Sequence, residues 1–365
     1  MKTLPVRKSV RKASAGMTLV ELMVGMAVGL FVATVAIATF VSTRTLNVVN
    51  ASTTRMSENA RLAMDTLHTD LRNSGFAGCW PLALRKEPWP EVLKVSPDDG
   101  FIADGRVGVL GYKGDARGNF SPSPSAVLLQ RVAAANSGRM PVPESDFISV
   151  RVPADTLALD VIEQPLATGE TAPKLNPANL GALAADDIVL IADCKSATLF
   201  RVSGIDTATG LLSHALGTGP LSNQTLDLGS AYGKGATVYR MQTRHYYVAD
   251  SKVRAKTRSL WRLSVPPNTG EDEAVEVANG IDSILVSYGI NTDKDQDVTR
   301  YVDASKVTAW ERVVSARIQL LPTTPDTNVS RVNQTYRFDG KDVVAPDLRL
   351  RNPLTEIVTL RTAAK

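Results

Sequence analysis

The length and composition of the chain allow a substantial folded part, and its charge argues against a basic binding surface. It has 365 residues, 44% of them hydrophobic and 21% charged, as is ordinary for globular proteins. The formal net charge is +4, but five of the 41 basic residues lie in the first 16 positions, which contain no acid. The rest of the chain carries 36 basic against 37 acidic residues, so we expect no nucleic-acid partner.

An uncharged apolar run follows this basic segment and is long enough to cross a bilayer. It covers residues 22–41, and a helix rising about 1.5 Å per residue would carry it across the roughly 30 Å hydrocarbon core. The preceding basic residues favour a cytoplasmic N-terminus. We therefore expect a single-pass protein of the inner membrane with a periplasmic head.

The residues just before the apolar run bear on whether this run is a secretory signal, a plain membrane anchor or something else. An ordinary secretory signal has its small-residue cleavage site after the apolar run, whereas here the small residues are 13–16 and precede it. A plain membrane anchor explains the run but not Glu21 at its start. A carboxylate at mid-bilayer costs about 2.5 kcal/mol or more, and such residues usually have a partner.

The segment Gly16-Met17-Thr18-Leu19-Val20-Glu21-Leu22-Met23 resembles the prepilin cleavage and methylation motif of type IV pilins and pseudopilins. The resemblance implies cleavage after Gly16 by a prepilin peptidase, N-methylation of Met17, and Glu21 as the fifth mature residue. Many major pilins begin with Phe, and Met is common among minor ones. The Glu21 carboxylate can then be matched by the terminal amine of a neighbouring subunit, which would set the axial register during assembly.

Two glycines in the apolar run have the spacing of a close helix–helix contact. Gly25 and Gly29 form a small-xxx-small pattern that continues to Ala33, and such a stripe lets helices approach closely. The alternative is that glycine is simply tolerated in membrane helices. In either case these residues lie where subunit helices would bundle.

The helical pattern continues beyond the apolar run. Apolar positions recur at steps of three or four and predict one helix over about residues 17–73, ending at Ser74-Gly75. Its first half would be embedded in the membrane or the filament core, and its second half would carry a globular head. The stripe in the second half consists of Leu46, Val49, Thr53, Met56, Ala60, Ala63, Leu67 and Leu71.

Residues 74–365 predict a head rich in antiparallel β-structure. A stretch rich in Pro and Gly extends to about Ser125, and short β-branched runs bounded by turn residues follow it. The expected fold is α+β and pilin-like, with a leader over 1–16, a helix over 17–73 and a head over 74–365. The predicted strands are 126–131, 146–152, 157–162, 187–193, 197–202, 236–241, 245–249, 259–263, 281–290, 313–321, 332–338 and 356–361.

The chain has two cysteines, Cys79 and Cys194. They are too few for a disulfide framework, and their spacing matches no zinc site. In an oxidising compartment a single bridge between them is the simplest interpretation. The alternative is two unpaired buried thiols.

Several passages beyond the N-terminus resemble PilW-type minor pilins. The passage over residues 193–200 would supply the partner of Cys79. Residues 348–351 fit the family only in part. The resemblance implies a role in initiating or supporting type IV pilus assembly, with prepilin peptidase, other minor pilins, the major pilin and a large tip adhesin as partners. The passages are residues 71–79, 193–200, 243–248 with 259–263, 286–289 and 310–313.

One acidic loop is a candidate for a hard cation. Asp293, Asp295 and Asp297 alternate, with Asp303 close behind, and alternating carboxylates on a tight loop can converge on Ca²⁺. The spacing departs from an EF-hand, which needs glycine at position six and glutamate at position twelve. A solvated acidic turn is the alternative that we favour, so we expect no cofactor.

No catalytic constellation is visible in the sequence. The three histidines, His68, His214 and His245, are far apart, and neither a nucleophile elbow nor a phosphate-binding loop is present. We expect a minor pilin and no enzyme. The alternatives are a minor pseudopilin of a type II secretion system, which shares the N-terminal features, and a membrane-anchored periplasmic enzyme or binding module, which would need a polar site.

Overall fold

A computed structural model of the chain describes residues 16–79, 89–94, 101–154, 158–162, 173–265, 272–292 and 298–360. The chain divides into two compact units, Met1–Ala51 and Ser52–Lys365. The predicted fold class is confirmed, because a long N-terminal helix and antiparallel sheets form an α+β, pilin-like layout.

The first helix, α1, covers Leu19–Arg72, close to the predicted bounds. It ends where Gly75 has a φ of +65°, a left-handed conformation that glycine adopts without steric cost. The Gly75 N–H donates to the Arg151 carbonyl oxygen at 3.3 Å, which ties the end of the helix to the sheet. The second half of the predicted stripe is buried within the second unit: Met56, Ala60, Ala63, Leu67 and Leu71.

The described residues contain one further α-helix and seventeen strands. Helix α2 is Ala126–Ala135. The strands are β1 (Val109–Gly114), β2 (Phe120–Ser121), β3 (Phe147–Pro153), β4 (Leu159–Asp160), β5 (Ile188–Ala192), β6 (Ala197–Arg201), β7 (Gly204–Asp206), β8 (Leu211–Ser213), β9 (Thr237–Asp250), β10 (Arg258–Val265), β11 (Glu273–Asn279), β12 (Ile281–Ile290), β13 (Arg300–Asp303), β14 (Val313–Pro322), β15 (Thr335–Phe338), β16 (Lys341–Val344) and β17 (Leu354–Thr359).

The strands form two main sheets and two hairpins, and their pairings are antiparallel. The larger sheet has nine strands, of which six follow the order β11-β10-β9-β3-β1-β2. The long strand β9 joins its two parts, since the start of β9 pairs with β4 and β5 while its later residues pair with β3 and β10. The smaller sheet has the order β13-β12-β14-β17, and β15-β16 and β7-β8 are separate hairpins.

The main hydrophobic core lies where the second half of α1 meets both sheets. Leu67 and Leu71 of the helix, Val150 of β3 and Ile318 of β14 are all buried in one cluster. A second cluster packs α2 on the larger sheet through Leu128 and Val132. Each fully buried Leu, Ile or Val contributes about 1.5–3 kcal/mol relative to exposure, so these contacts hold α1 to the head.

Two strand predictions were wrong. Residues 126–131 form the start of α2, because Ser125 caps the helix by accepting a hydrogen bond from the Leu128 N–H at 3.0 Å. Residues 236–241 and 245–249 belong to the single strand β9, which passes through the intervening polar residues without a turn. The predictions missed β1, β2, β7, β8, β11, β13 and β16.

The predicted bridge is present: Cys79 and Cys194 form a disulfide. It links the segment after α1 to the turn between β5 and β6, and both residues are exposed, so the alternative of two buried thiols is wrong. The bridged residues are 115 positions apart. Closing so long a loop removes entropy from the unfolded chain worth about 5 kcal/mol at most.

Candidate assembly site

The N-terminus of α1 is organised by Thr18 and Glu21. The Thr18 N–H and Oγ1 donate to Glu21 Oε2 at 2.9 and 3.0 Å, and the Glu21 N–H donates to Thr18 Oγ1 at 3.3 Å. This reciprocal capping box satisfies backbone donors that a helix start otherwise leaves unpaired. It also places the carboxylate at the helix end that favours negative charge.

The Glu21 carboxylate remains open to a donor from another chain. Gly16, Met17 and Glu21 are all exposed, Met17 by 70%. Within the described part of the chain, hydrogen bonds reach only Oε2 of the carboxylate. Its second oxygen, Oε1, can therefore accept a bond from a neighbouring subunit without dismantling the capping box.

The apolar part of α1 is exposed along its length. It is long and apolar enough to cross a membrane, and no residue of its most apolar window is buried. The hydroxyls of Thr34 and Thr39 donate to the carbonyl oxygens of Leu30 and Val35, both at 2.8 Å. Because these polar groups are satisfied inside the helix, the surface that the helix presents to lipid or to other helices is apolar.

The two glycines of the small-residue stripe are not required by packing inside this chain. A Cβ atom added at Gly25 or Gly29 would meet nothing within 4 Å. Among the described residues, the surface at these two glycines is therefore open. The assignment of Gly25 and Gly29 to helix packing stays a prediction.

The three histidines lie in separate polar contacts. His68 on α1 pairs with Glu356 on β17, His214 bonds the Leu226 carbonyl oxygen at 2.9 Å, and buried His245 bonds Ser149 Oγ at 2.7 Å. These contacts connect elements of the fold to one another, as expected of structural histidines.

The candidate cation ligands Asp293, Asp295 and Asp297 lie outside the described residues. Asp303, which follows them, accepts hydrogen bonds from the Ser305 N–H at 3.1 Å and from Lys306 Nζ at 2.9 Å. Among the residues that the structure describes, no group of three or more His, Cys, Asp or Glu side chains is placed to hold a metal ion.

Thr18 is the site residue that the sequence analysis missed. Its signal was present, since a threonine followed three residues later by glutamate and then an apolar run is the pattern of a capping box. The structure pairs Thr18 directly with Glu21.

Comparison with known families agrees with this geometry. Residues 11–37 match the prokaryotic N-terminal methylation motif, a stretch that contains Gly16, Glu21 and most of the apolar run. The chain is therefore of the prepilin class, anchored through an apolar N-terminal helix.

The C-terminal part of the head identifies the family within that class. Residues 245–362, from the second half of β9 through β17, match PilW, type IV pilus-assembly protein W. The chain therefore combines a prepilin N-methylation motif with a C-terminal region similar to the type IV pilus-assembly protein W family. No curated protein and no solved structure matches the chain.

Proposed function

We propose that this chain is a minor type IV pilin that helps to initiate and support pilus assembly. The observation that carries the proposal is the combination of a matched methylation motif with a helix whose most apolar window has no residue buried among the described part of the chain. Such a helix needs lipid before assembly and other subunit helices afterwards, because an unburied apolar surface of this length is unstable in water.

Processing is the first step of the proposed mechanism. A prepilin peptidase would cleave after Gly16 and leave Met17 as the N-methylated first residue, in a subunit that spans the inner membrane with its head in the periplasm. Gly16 and Met17 precede the first residue of α1, Leu19, and are exposed. An extended, exposed scissile bond is accessible to a peptidase, whereas a helical one is not.

Docking through Glu21 is the second step. Cleavage creates a cationic amine at Met17, and the carboxylate of Glu21 in a neighbouring subunit has an oxygen free to receive it. In an apolar surrounding an unpaired carboxylate is costly, so a subunit displaced along the filament axis would lose this pairing. The interaction would therefore select one axial register, with Gly25 and Gly29 allowing close approach of the helices.

The proposed organisation is a leader over residues 1–16, a helix over 17–73 with its membrane segment over 22–41, and a head over 74–365. The head would select neighbours among the other minor pilins, the major pilin and a large tip adhesin. The PilW match favours the pilus over a type II secretion system, whose minor pseudopilins share the N-terminal features. Pilus counts and twitching in a deletion strain, with secretion assayed in parallel, separate the two systems.

The role of Glu21 is tested by comparing Glu21→Ala with Thr18→Ala. Both substitutions break the capping box, which costs about 1 kcal/mol of helix stability, but only Glu21→Ala removes the carboxylate. We expect normal cleavage in both variants, a strong loss of the Glu21→Ala subunit from sheared pili, and near-normal incorporation of the Thr18→Ala subunit. Equal incorporation of Glu21→Ala and the unaltered chain would rule out the assembly role.

A further inference from the structure

A cavity of about 610 Å³ lies under the β15–β16 hairpin. Its floor is the outer face of the smaller sheet, where Leu285 of β12 and Leu321 of β14 line it, and its roof is the hairpin, through Tyr336 and Phe338. This volume falls within the roughly 300–1,000 Å³ of ligand-binding pockets. Most of its walls lie within residues 245–362, the part that matches PilW.

A second cavity of about 270 Å³ adjoins the first. The two share Lys113, Leu285 and Asp339 in their walls, and the second continues past the hairpin turn at Gly340 to Arg317 on β14. Together they make a groove that runs along the outer face of the smaller sheet, and we call this the hairpin groove. Because the groove joins two cavities through shared walls, an extended chain can contact both of them at once.

The walls of the larger cavity carry more cations than anions, with six Lys and Arg side chains against four Asp and Glu. Two of the acidic side chains already have an ion-pair partner, because Arg351 binds Asp282 at 2.8 Å and Asp347 at 2.7 Å. Arg351 is itself buried, and its guanidinium is occupied by these two carboxylates. The cations left to face a ligand include Lys256, Arg258 and Lys341, all exposed.

Arg349 adds an unused donor to the same wall. Its side chain is almost fully buried, with 7% of the residue exposed, and its Nη1 donates to the Lys256 carbonyl oxygen at 2.9 Å. Its Nε is buried and has no hydrogen-bond partner among the described residues. A buried guanidinium donor without an acceptor costs free energy, and the positive charge of this guanidinium adds to the attraction that the wall exerts on a carboxylate.

We propose that the hairpin groove binds an acidic, extended peptide segment of a partner protein. Charge complementarity selects the carboxylates, since the arginine and lysine side chains that exceed the acidic ones in the wall attract and orient them. The aromatic side chains of the roof and the aliphatic side chains of the floor contact the peptide backbone and the peptide side chains between its carboxylates. One face of the hairpin lines the groove, because the cavity walls include Tyr336, Phe338, Lys341 and Val343.

The test measures binding of a fluorescent oligoglutamate peptide to the detergent-solubilised full chain by anisotropy. The variant is Lys256→Gln with Lys341→Gln, and the matched control is Lys195→Gln with Lys234→Gln, which are equally exposed lysines outside the groove. A further control is Arg337→Gln, because Arg337 lies on the same hairpin but does not line the cavity.

We expect the groove variant to bind oligoglutamate about tenfold more weakly, since it loses two exposed ion pairs with the peptide, while both controls bind as the unaltered chain does. An oligolysine peptide should not bind. Equal weakening in the controls would show attraction to overall charge and overturn the site. If free glutamate displaced the peptide at the peptide's own concentration, an extended peptide would be overturned as the occupant of the groove. Stronger binding of the chain to anionic lipid vesicles than to the peptide would overturn it as well.

Discussion

Asp70, in the last turn of α1, accepts a hydrogen bond at Oδ1 from Arg244 Nη1 of β9 at 2.7 Å. Its other carboxylate oxygen accepts a hydrogen bond from the Tyr246 hydroxyl. Arg244 and Tyr246 are two positions apart on one strand, so their side chains point to the same face. Asp70 is 4% exposed, and this buried ion pair fixes where α1 meets the larger sheet.

We predict that Asp70→Asn destabilises the head by about 3 kcal/mol, because it leaves the largely buried Arg244 guanidinium without its counter-charge. The control is Asp65→Asn on the exposed face of the same helix, where the 3.6 Å pair with Arg61 contributes at most about 0.5 kcal/mol. Urea denaturation of the solubilised chain, followed by tryptophan fluorescence, measures both. Similar losses in the two variants would contradict a special role for Asp70.

Asp70 shows why the sequence predicted the helix but not its anchoring. The stripe and Gly75 predicted the bounds of α1, since both are local signals. An aspartate among the charges of an amphipathic helix looks solvated, and its partner Arg244 is 174 positions away. Only the pairing of β3 with β9 under the helix brings the two together, and no local pattern encodes that distance.

The strand predictions succeeded and failed for a related reason. The buried strand β5 is a continuous apolar segment and was predicted. The missed strand β11 reads Glu-Ala-Val-Glu-Val-Ala-Asn and pairs only with β10, so as an edge strand it keeps polar side chains. Helix α2 was predicted as a strand because that prediction rested on its apolar residues and did not include the capping residue Ser125.

A second prediction concerns Tyr288 in the main core. Its ring is buried and packs edge-on against Trp310, with the ring centroids 4.9 Å apart. Its hydroxyl has no hydrogen-bond partner among the described residues. Tyr288→Phe keeps the ring contact and removes the cost of burying an unpaired hydroxyl, so we expect stability to be unchanged or to rise by about 1 kcal/mol.

Tyr247→Phe is the control for this substitution. The Tyr247 hydroxyl accepts a hydrogen bond from Asn136 Nδ2 at 3.0 Å, and its removal leaves a buried amide unpaired. We expect a loss of about 1 kcal/mol there. Thermal unfolding of both variants is the measurement. A Tyr288→Phe chain less stable than Tyr247→Phe would mean that the Tyr288 hydroxyl has a partner.

Alkaline pH should unfold the head through its buried tyrosines. Burial raises the pKa of Tyr246, Tyr247 and Tyr288 above the ordinary value of 10.0, and the negative charge of Asp70 raises that of Tyr246 further. The folded chain therefore retains protons that the unfolded chain releases above about pH 10. The contribution of each such tyrosine to the free energy of unfolding is fully present below that pH. Above it, the free energy of unfolding falls by up to about 1.4 kcal/mol per pH unit for each such tyrosine.

Phenolate absorbance during a pH titration tests this expectation. In the native chain these tyrosines should ionise only together with unfolding, as a cooperative step above pH 10 that coincides with the change in tryptophan fluorescence. Tyr288→Phe should make the step shallower. Complete ionisation of all tyrosines near pH 10 in a folded chain would contradict the burial.

Mass spectrometry of the N-terminus tests most directly whether this chain is processed and assembled as a pilin. The chain should be isolated from membranes of cells that contain a prepilin peptidase, beside a Gly16→Val variant. The account predicts a mature chain that begins at Met17 and carries one N-methyl group, with the variant retaining residues 1–16. A mature chain that begins at any other residue, or normal processing of Gly16→Val, would contradict it.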